Sequence, residues 1–262
     1  WSSSVVTIYF LVGHQTPDIR QNVFDGEPNA GHSRLLVSGF WRLVSEGRAS
    51  VPWMFELAGS PVPVRRDLID VYESLWTHFA SPGATMTGPQ RIALLESARA
   101  RDVAAATAEG VDPVLTDLGT TLLHDPPAVH GDDVAAAADT CGFPPVVETI
   151  AIVSMLSAVD GAHRALSSSL EPLPTPRPGE PTQQVREGLK RRRTHVPVPP
   201  GPIPVTLDLI PIEGEVFQSS FGPQYMTEEE MADDRFARSP GLDRAQIEVV
   251  SSRTSIINEC FY

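Results

Sequence analysis

Apolar residues recur at helical spacing from Pro63 onward, and this periodicity is the main guide to the structure of the chain. Six apolar positions at intervals of three and four residues open the pattern: Leu68, Val71, Tyr72, Leu75, Trp76 and Phe79. Residues with this spacing share one face of an α-helix. The breaker sequence Ser81-Pro82-Gly83 then predicts the end of that helix.

Further helices follow at short intervals. Thr87 with Gln90 three residues later has the pattern of a capping box, which predicts a second helix with an alanine-rich continuation to about Ala108. Three more apolar patterns predict helices over Val114 to Leu122, Asp132 to Thr140 and Val146 to Leu166. The predicted fold class is therefore all-α.

Residues 167–222 differ in character because they are rich in proline, which restricts φ and lacks a backbone donor. This composition predicts a linker or an extended segment that wraps the helices. The basic run from Lys190 to Arg193 is interpreted as solvated charge on this segment rather than as an anion site. Residues 1–60 show no clear pattern, and no function is assigned to them.

Helical signals return after Gly222. Thr227 with Glu230 forms a second capping-box pattern, which predicts a short helix through Phe236. Leu242-Asp243 opens a final predicted helix. Four residues of that helix share a face: Ile247, Val250, Thr254 and Ile257.

A weak internal repeat relates the two helical regions. The segment from Thr87 to Ile92 resembles the segment from Leu242 to Ile247, at a shift of 155 positions. We therefore expect two related helical units, 61–166 and 223–262, joined by the proline-rich linker 167–222, with 1–60 as an unassigned upstream segment.

Composition and charge narrow the class of function. The formal net charge of -13 argues against nucleic-acid binding, which needs a basic surface. The apolar run Val5 to Val12 is too short to span a membrane and lacks the flanks of a signal peptide. Two cysteines are too few for a disulfide framework and favour a reducing compartment, so a cytoplasmic location with no membrane contact is predicted.

Few residues carry candidate chemistry. No glycine-rich phosphate loop and no convincing metal-ligand spacing occurs, since prolines separate His124 from His130, so neither cofactor nor metal is predicted. Cys141 precedes a Gly-Phe-Pro-Pro break and is interpreted as structural. His163 lies on a strongly apolar helix and is interpreted as a core or interface histidine.

The segment from Leu242 to Tyr262 resembles the active-site helix of the AhpD-like and carboxymuconolactone decarboxylase-like superfamily. In its peroxidase branch a Glu lies twelve residues before the first Cys of a Cys-x-x-Cys motif, and Glu248 and Cys260 have this separation. Asn258 and Tyr262 also suit the pattern. The second Cys and a following His would lie beyond Tyr262. Because the chain starts with Trp1 rather than Met and ends with Tyr262 inside an apolar, helix-like stretch, it is interpreted as truncated at both ends.

The resemblance also covers Val146 to Leu166, and in all about residues 65–262. It implies an AhpD-like helical bundle with thiol-dependent alkyl hydroperoxide reductase (peroxiredoxin) activity in the intact protein. An organic hydroperoxide and a thiol reductant are the implied partners, and a homo-oligomer is the implied assembly. The implied roles are thiol chemistry at Cys260 and proton relay at Glu248.

Physical chemistry adds two conditions to this hypothesis. A thiolate is the reactive form of cysteine, so the pKa of one thiol must be lowered. Twelve residues of straight helix also span about 18 Å, so the chain must bend near residues 257–259 to bring Cys260 to Glu248.

Three hypotheses remain open from the sequence. The first is the peroxidase, for which the 262 residues alone are predicted to lack dithiol turnover. The second is a decarboxylase-like or binding protein of the same fold without peroxidase activity. The third is an incomplete product without activity. In the first repeat unit Ala93 and Ala105 occupy the places of Glu248 and Cys260, so that unit is predicted to be structural.

Overall fold

The structure, a computed structural model, describes residues 55, 57, 60–192, 194–200, 206–238 and 241–257. Nine α-helices run through these residues: α1 (Arg66–Ala80), α2 (Gly88–Ala100), α3 (Ala104–Ala108), α4 (Pro113–His124), α5 (Gly131–Cys141), α6 (Phe143–Ala165), α7 (Pro211–Gln224), α8 (Glu228–Ala232) and α9 (Arg244–Ile257). Short 3₁₀ turns occupy Pro126–Ala128 and Thr206–Leu209. The described part contains no strand beyond two isolated bridges, which confirms the all-α class.

The first two helices follow the predicted pattern closely. The aromatic residues of the α1 face, Tyr72, Trp76 and Phe79, are buried together with Leu75. Both halves of the capping box that opens α2 are formed between Thr87 and Gln90. Such a box satisfies two backbone donors that a helix start otherwise leaves unpaired.

The alanine-rich continuation of α2 is a separate element. α2 ends at Ala100, where Arg101 takes a left-handed conformation with a φ of 57°. The Asp102 side chain then accepts a hydrogen bond from the backbone of Ala104, and α3 begins there. The two elements are distinct because a left-handed residue cannot continue a right-handed helix.

Helix α6 is the centre of the fold. It packs against α1, α2, α4, α5 and α7, and its residues from Val146 to Asp160 are all buried. A helix covered on all sides has apolar residues all round rather than on one stripe. Within the described residues it is the one helix long and apolar enough to cross a membrane, and 83% of its most apolar window is buried inside the protein.

The proline-rich segment after α6 wraps the helices as an extended strap, residues 172–186, rather than leaving them. Its backbone donates from Arg177 to Ala80 O and from Thr182 to Gly83 O, at 2.8 and 2.9 Å. Trp76 Nε1 donates in return to the carbonyl of Pro172 at 2.8 Å. These contacts support the wrapping alternative for the first part of the segment.

Helix α7 lies inside the region predicted as a linker, so that prediction is wrong for the residues after the strap. The helix begins at Pro211, whose fixed φ suits the first helical position, and contains Pro223 near its end. It packs against α1 and α6. Of the prolines and glycines of α7, only Pro211 lies where a helix tolerates it, whereas Gly214, Gly222 and Pro223 lie within the helix.

The C-terminal helices differ from their predicted bounds. α8 ends at Ala232, four residues before Phe236, because Asp233 takes an extended conformation.

At the start of α9 the side chains and backbones of Asp243 and Gln246 form reciprocal hydrogen bonds, as in a capping box. This box lies 156 positions after the Thr87 box, one more than the sequence shift. When the two units are aligned at their capping boxes, Ile92 and Ala104 correspond in sequence to Glu248 and Cys260. In this alignment too, the first unit lacks the carboxylate and the thiol. All described residues belong to one compact unit.

Candidate functional site

The predicted proton-relay residue, Glu248, lies on the second turn of α9 and is partly exposed, with 42% of its side-chain surface open to solvent. Arg244, one turn earlier, donates from Nε to Glu248 Oε1 at 2.8 Å. Tyr225, at the end of α7, donates its hydroxyl to Glu248 Oε2 at 3.4 Å. Each carboxylate oxygen therefore has one donor, and the group is oriented from two sides.

Arg244 is itself held in place. Its Nη1 donates to the carbonyl oxygens of Glu230, Met231 and Asp233, at the end of α8 and just after it. An arginine with several fixed acceptors presents its remaining donor in a defined direction. The carboxylate of Glu248 is thus tied through Arg244 to α8 and through Tyr225 to α7.

The second member of the predicted pair, Cys260, lies outside the described residues, as do Asn258 and Tyr262. α9 is described through Ile257. The expected bend near residues 257–259 and the approach of Cys260 to Glu248 therefore stay predictions.

Cys141 and His163, the other two residues considered in the sequence analysis, lie in surroundings that suit a structural role. Cys141, the last residue of α5, is half-buried, and burial and the neighbouring Asp112 raise the pKa of its thiol. A raised pKa disfavours the nucleophilic thiolate, in agreement with a structural role. His163 is buried in α6, and its Nδ1 pairs with the Val159 carbonyl at 2.9 Å.

The chemically richest cluster in the described part of the chain was not anticipated from the sequence. The Arg91 side chain on α2 is fully buried, and its Nη1 donates to Glu148 Oε1 at 3.2 Å and to Glu213 Oε1 at 2.8 Å. Glu148 belongs to α6 and Glu213 to α7, and neither side chain is exposed. One arginine therefore joins two carboxylates from different helices.

His78, near the end of α1, completes this cluster, which we call the charged core: His78, Arg91, Glu148 and Glu213. His78 Nε2 lies 2.8 Å from Glu213 Oε2 and 2.8 Å from Arg91 Nη2. Four helices thus each contribute one ionisable group to one buried network. Such a network is stable only while its members are paired, since an unpaired charge in the interior is costly.

The loop between α1 and α2 closes the charged core over Glu148. Glu148 Oε2 accepts hydrogen bonds from both the backbone N–H and the hydroxyl of Thr85, each at 2.7 Å. Gly83 passes so close that a Cβ there would lie 1.9 Å from Glu148 Oε1 and 2.2 Å from Arg91 Nη1. Only glycine leaves room for the two side chains at this point.

Opposite pKa shifts distinguish the two buried glutamates. Burial raises the pKa of Glu148, and Arg91 opposes this effect without reversing it. Burial also acts to raise the pKa of Glu213, but Arg91 and His78 outweigh it and hold that pKa at about 2. Burial lowers the pKa of His78, with Glu213 opposing and Arg91 assisting. The favoured state therefore pairs ionised Glu213 with Arg91 and keeps His78 neutral.

The charged core has two glutamates and a histidine, yet the guanidinium of Arg91 occupies the position between the two carboxylates. In the described parts of the chain, no group of three or more His, Cys, Asp or Glu side chains is arranged so that it could hold a metal ion. The sequence did carry one usable signal: Glu148 interrupts an otherwise apolar central helix, and a buried carboxylate requires a partner. Nothing in the sequence pointed to Glu213, because its helix was taken for linker.

Comparison with known proteins identifies no relative. No family model matches the chain, and no curated protein and no solved structure matches it. The class that the fold defines is an all-α protein with a buried central helix. The AhpD-like resemblance accordingly rests on the residues of the chain itself.

Proposed function

We propose that the protein is a thiol-dependent alkyl hydroperoxide reductase of the AhpD-like type, with Glu248 as the proton-relay group and Cys260 as a member of the redox pair. The observation that supports this best is the environment of Glu248. It is a carboxylate open to solvent on one side and oriented by Arg244 and Tyr225 on the other. A proton donor in catalysis needs both a fixed direction and access to its partner.

The reaction would proceed by attack of the Cys260 thiolate on one peroxide oxygen. The carboxylate of Glu248, paired with Arg244, first accepts the proton that the Cys260 thiol loses. A sulfur–oxygen bond forms, the oxygen–oxygen bond breaks, and the leaving alkoxide takes that proton from Glu248 to give an alcohol. The cysteine is then a sulfenic acid. A second thiol, expected three positions after Cys260, condenses with it to a disulfide and releases water, and an external dithiol reduces that disulfide.

The location of the charged cluster in the core agrees with this division of roles. Arg91, Glu148 and Glu213 of the charged core are buried, whereas the side chain of Glu248 is partly open to solvent. We place the chemistry at α9 and assign the first helical unit a supporting role. An organic hydroperoxide and a thiol reductant are the proposed partners, in a homo-oligomer within a reducing cytoplasm.

The first step can be tested with the 262-residue chain. Purified protein is mixed with cumene hydroperoxide, the sulfenic acid is trapped with dimedone, and the modified cysteine is identified by mass spectrometry. We expect modification at Cys260 and none at Cys141. Glu248→Gln should slow the reaction about 100-fold, the order of effect of a lost general acid or base.

Matched variants separate a catalytic effect from a structural one. Glu96→Gln changes an exposed glutamate of α2 and should leave the rate unchanged. Cys260→Ser should abolish trapping, whereas Cys141→Ser should not. Equal rates in Glu248→Gln and the unmodified protein would contradict the proposed role of Glu248.

The complete cycle requires the second thiol. In a chain that continues past Tyr262, a cysteine at the third following position should give turnover with a dithiol reductant, and its absence would contradict the dithiol mechanism. If Cys260 resists oxidation even with that cysteine present, a decarboxylase-like or binding function of the same fold becomes the better hypothesis.

A further inference from the structure

Helix α7 carries a row of aromatic rings that ends at Glu248. Phe217 and Phe221 lie one turn apart on the helix, and Tyr225 follows one turn later at its C-terminal end. The ring centroids are 6.3 Å apart for the first pair and 5.6 Å apart for the second. Side chains four positions apart on a helix lie one above the other, so the rings form a continuous surface. We call this surface the aromatic stripe: Phe217, Phe221 and Tyr225.

The aromatic stripe lies beside the buried face of α7 rather than within it. The buried residues of the helix are Glu213, Val216, Ser220 and Gly222, none of which is aromatic. Each ring of the stripe is half-buried, whereas the aromatic rings on the inner face of α1 are buried. A single apolar side chain at a surface is ordinary, but a contiguous apolar patch is typical of a binding surface. The stripe therefore offers partly open aromatic surface to a ligand.

One end of the aromatic stripe is polar. The Tyr225 hydroxyl donates to Glu248 Oε2 at 3.4 Å, and the other carboxylate oxygen is held by Arg244. Glu248 itself is partly open to solvent. From this carboxylate the apolar surface continues along two helical turns, which correspond to about 12 Å. Such a surface is complementary to a molecule with a polar reacting group at one end and an apolar body.

We propose that the aromatic stripe binds the apolar body of the hydroperoxide, so that the protein selects hydroperoxides with a bulky apolar group over hydrogen peroxide. This inference rests on the proposed function, because the peroxide must react beside Glu248. It adds Phe217 and Phe221 to that site as specificity-determining residues. Tyr225 then has two roles, since its hydroxyl orients Glu248 and its ring continues the stripe.

The spacing of the rings orders their contributions. A group attached to a peroxide oxygen at Glu248 lies first against the rings of Tyr225 and Phe221. The phenyl group of cumene hydroperoxide reaches these two rings, whereas Phe217 lies a further 6.3 Å along the helix. Hydrogen peroxide has no apolar body and contacts none of them. Because apolar contacts stabilise in proportion to the area covered, Phe221 governs aryl substrates and Phe217 matters only for longer ones.

The preference can be measured with the 262-residue chain. The second-order rate constant for sulfenic acid formation at Cys260 is determined with cumene hydroperoxide and with hydrogen peroxide. Phe221→Ala should lower the ratio of the two rate constants about tenfold, the lower end of the effect of a lost apolar contact. The ratio is the informative quantity, because damage to the thiol, to Glu248 or to the fold lowers both rate constants alike.

Three variants serve as controls. Phe143, half-buried at the start of α6, has no ring contact with the stripe in the described part of the chain, so Phe143→Ala should keep the ratio. Tyr225→Phe retains the ring but loses the hydroxyl, so it should slow both peroxides and keep the ratio. Phe217→Ala should slow a linoleic acid hydroperoxide more than cumene hydroperoxide. An unchanged ratio in Phe221→Ala would overturn the proposal.

A binding measurement separates this inference from the proposed function. Cumyl alcohol, the product of cumene hydroperoxide, is titrated into chain with isotope-labelled phenylalanine and followed by NMR. We expect the ring signals of Phe221 to shift and those of Phe143 to stay in place. This experiment uses the unmodified protein, so it also decides the question if Phe221→Ala does not fold.

The two measurements together distinguish the possible failures. If Cys260 reacts with neither peroxide but the alcohol shifts the Phe221 signals, the peroxidase function fails and the apolar ligand site beside Glu248 stands. If Cys260 reacts and the Phe221 signals do not shift, the function stands and the specificity role of the stripe is overturned. Absence of both reaction and shift overturns both.

Discussion

The helices α1 to α7 and the pair α8 and α9 differ in which side chains they bury and which they expose. In the first region the four ionisable groups of the charged core are paired with one another, three of them fully buried and His78 12% exposed. In the second region apolar side chains face solvent: Val249 is 69% exposed and Ile256 66%. Charged side chains are usually exposed and large apolar side chains usually buried, so both regions depart from the usual distribution, for different reasons.

The difference lies in what holds each region. The first region has a central helix enclosed by others, so its apolar contacts can support a buried network that would otherwise be costly. The second region is held largely by polar contacts, in which Arg238 bonds the Tyr225 carbonyl at 2.5 Å and Arg244 bonds the end of α8. We therefore expect the first region to set the global stability and the second to respond locally.

The largest effect is expected for Arg91→Leu. This change leaves Glu148 and Glu213 buried without their shared cation, which should cost about 3–5 kcal/mol in the free energy of unfolding. Denaturant unfolding provides the measurement. Arg66→Leu, which removes an exposed arginine paired with Asp70 and Glu73, should cost at most about 1 kcal/mol. Similar losses for the two variants would remove the distinction between buried and exposed pairs.

The next effect compares two isosteric changes. Glu213→Gln should lower stability at neutral pH by about 3 kcal/mol, because it removes a carboxylate whose pKa is held at about 2. Glu148→Gln should cost far less, because burial already raises the pKa of that group and penalises its ionised form. Urea midpoints at neutral pH measure both.

The pH dependence of these variants follows from the same shifts. A depressed pKa contributes stability that is present above the unfolded value and is lost as pH falls from about 4.5 towards 2. Glu213→Gln should flatten that acid limb. The raised pKa of Glu148 has the opposite sign, so its contribution is lost as pH rises above about 4.5. An acid limb that is unchanged in Glu213→Gln would contradict the assignment.

Truncation of an apolar side chain should lower the free energy of unfolding much more in the core than on the surface. Leu156→Ala removes a fully buried side chain of α6 and should cost about 2–5 kcal/mol. Val249→Ala removes an exposed one from α9 and should change stability by less than about 0.5 kcal/mol. Thermal melts of both variants check this, and a large loss for Val249→Ala would indicate a covered face of α9.

The smallest effect concerns the two capping boxes. Thr87→Ala removes the cap of a helix in the core and should lower the global free energy of unfolding by about 1 kcal/mol. Asp243→Ala removes the corresponding cap of α9, and we expect faster amide exchange in α9 with little change in global unfolding. A global loss of equal size at both positions would show that α9 belongs to the same cooperative unit as the core.

Local patterns predicted much of the helical framework. Residues three or four positions apart encode the apolar face of α1, the Thr87 box and the apolar run of α6. Periodicity and capping patterns therefore reveal these features. Helix α7 escaped because proline and glycine within it resemble linker composition, and its burial depends on α1 and α6. The place of Glu248 on a helix and its pairing with Arg244 four residues earlier are local, whereas its second donor, Tyr225, comes from a contact between elements.

The chain alone thus determined the apolar face of α1, the start of α2 and the apolar run of α6, because these depend on interactions three or four positions apart. It also carried the Glu248–Cys260 spacing on which the peroxidase hypothesis rests. The tertiary structure decided that residues 78, 91, 148 and 213, separated by up to 135 positions, share one buried network. No local rule encodes that meeting, since it exists only after four helices have packed and excluded water from their charges.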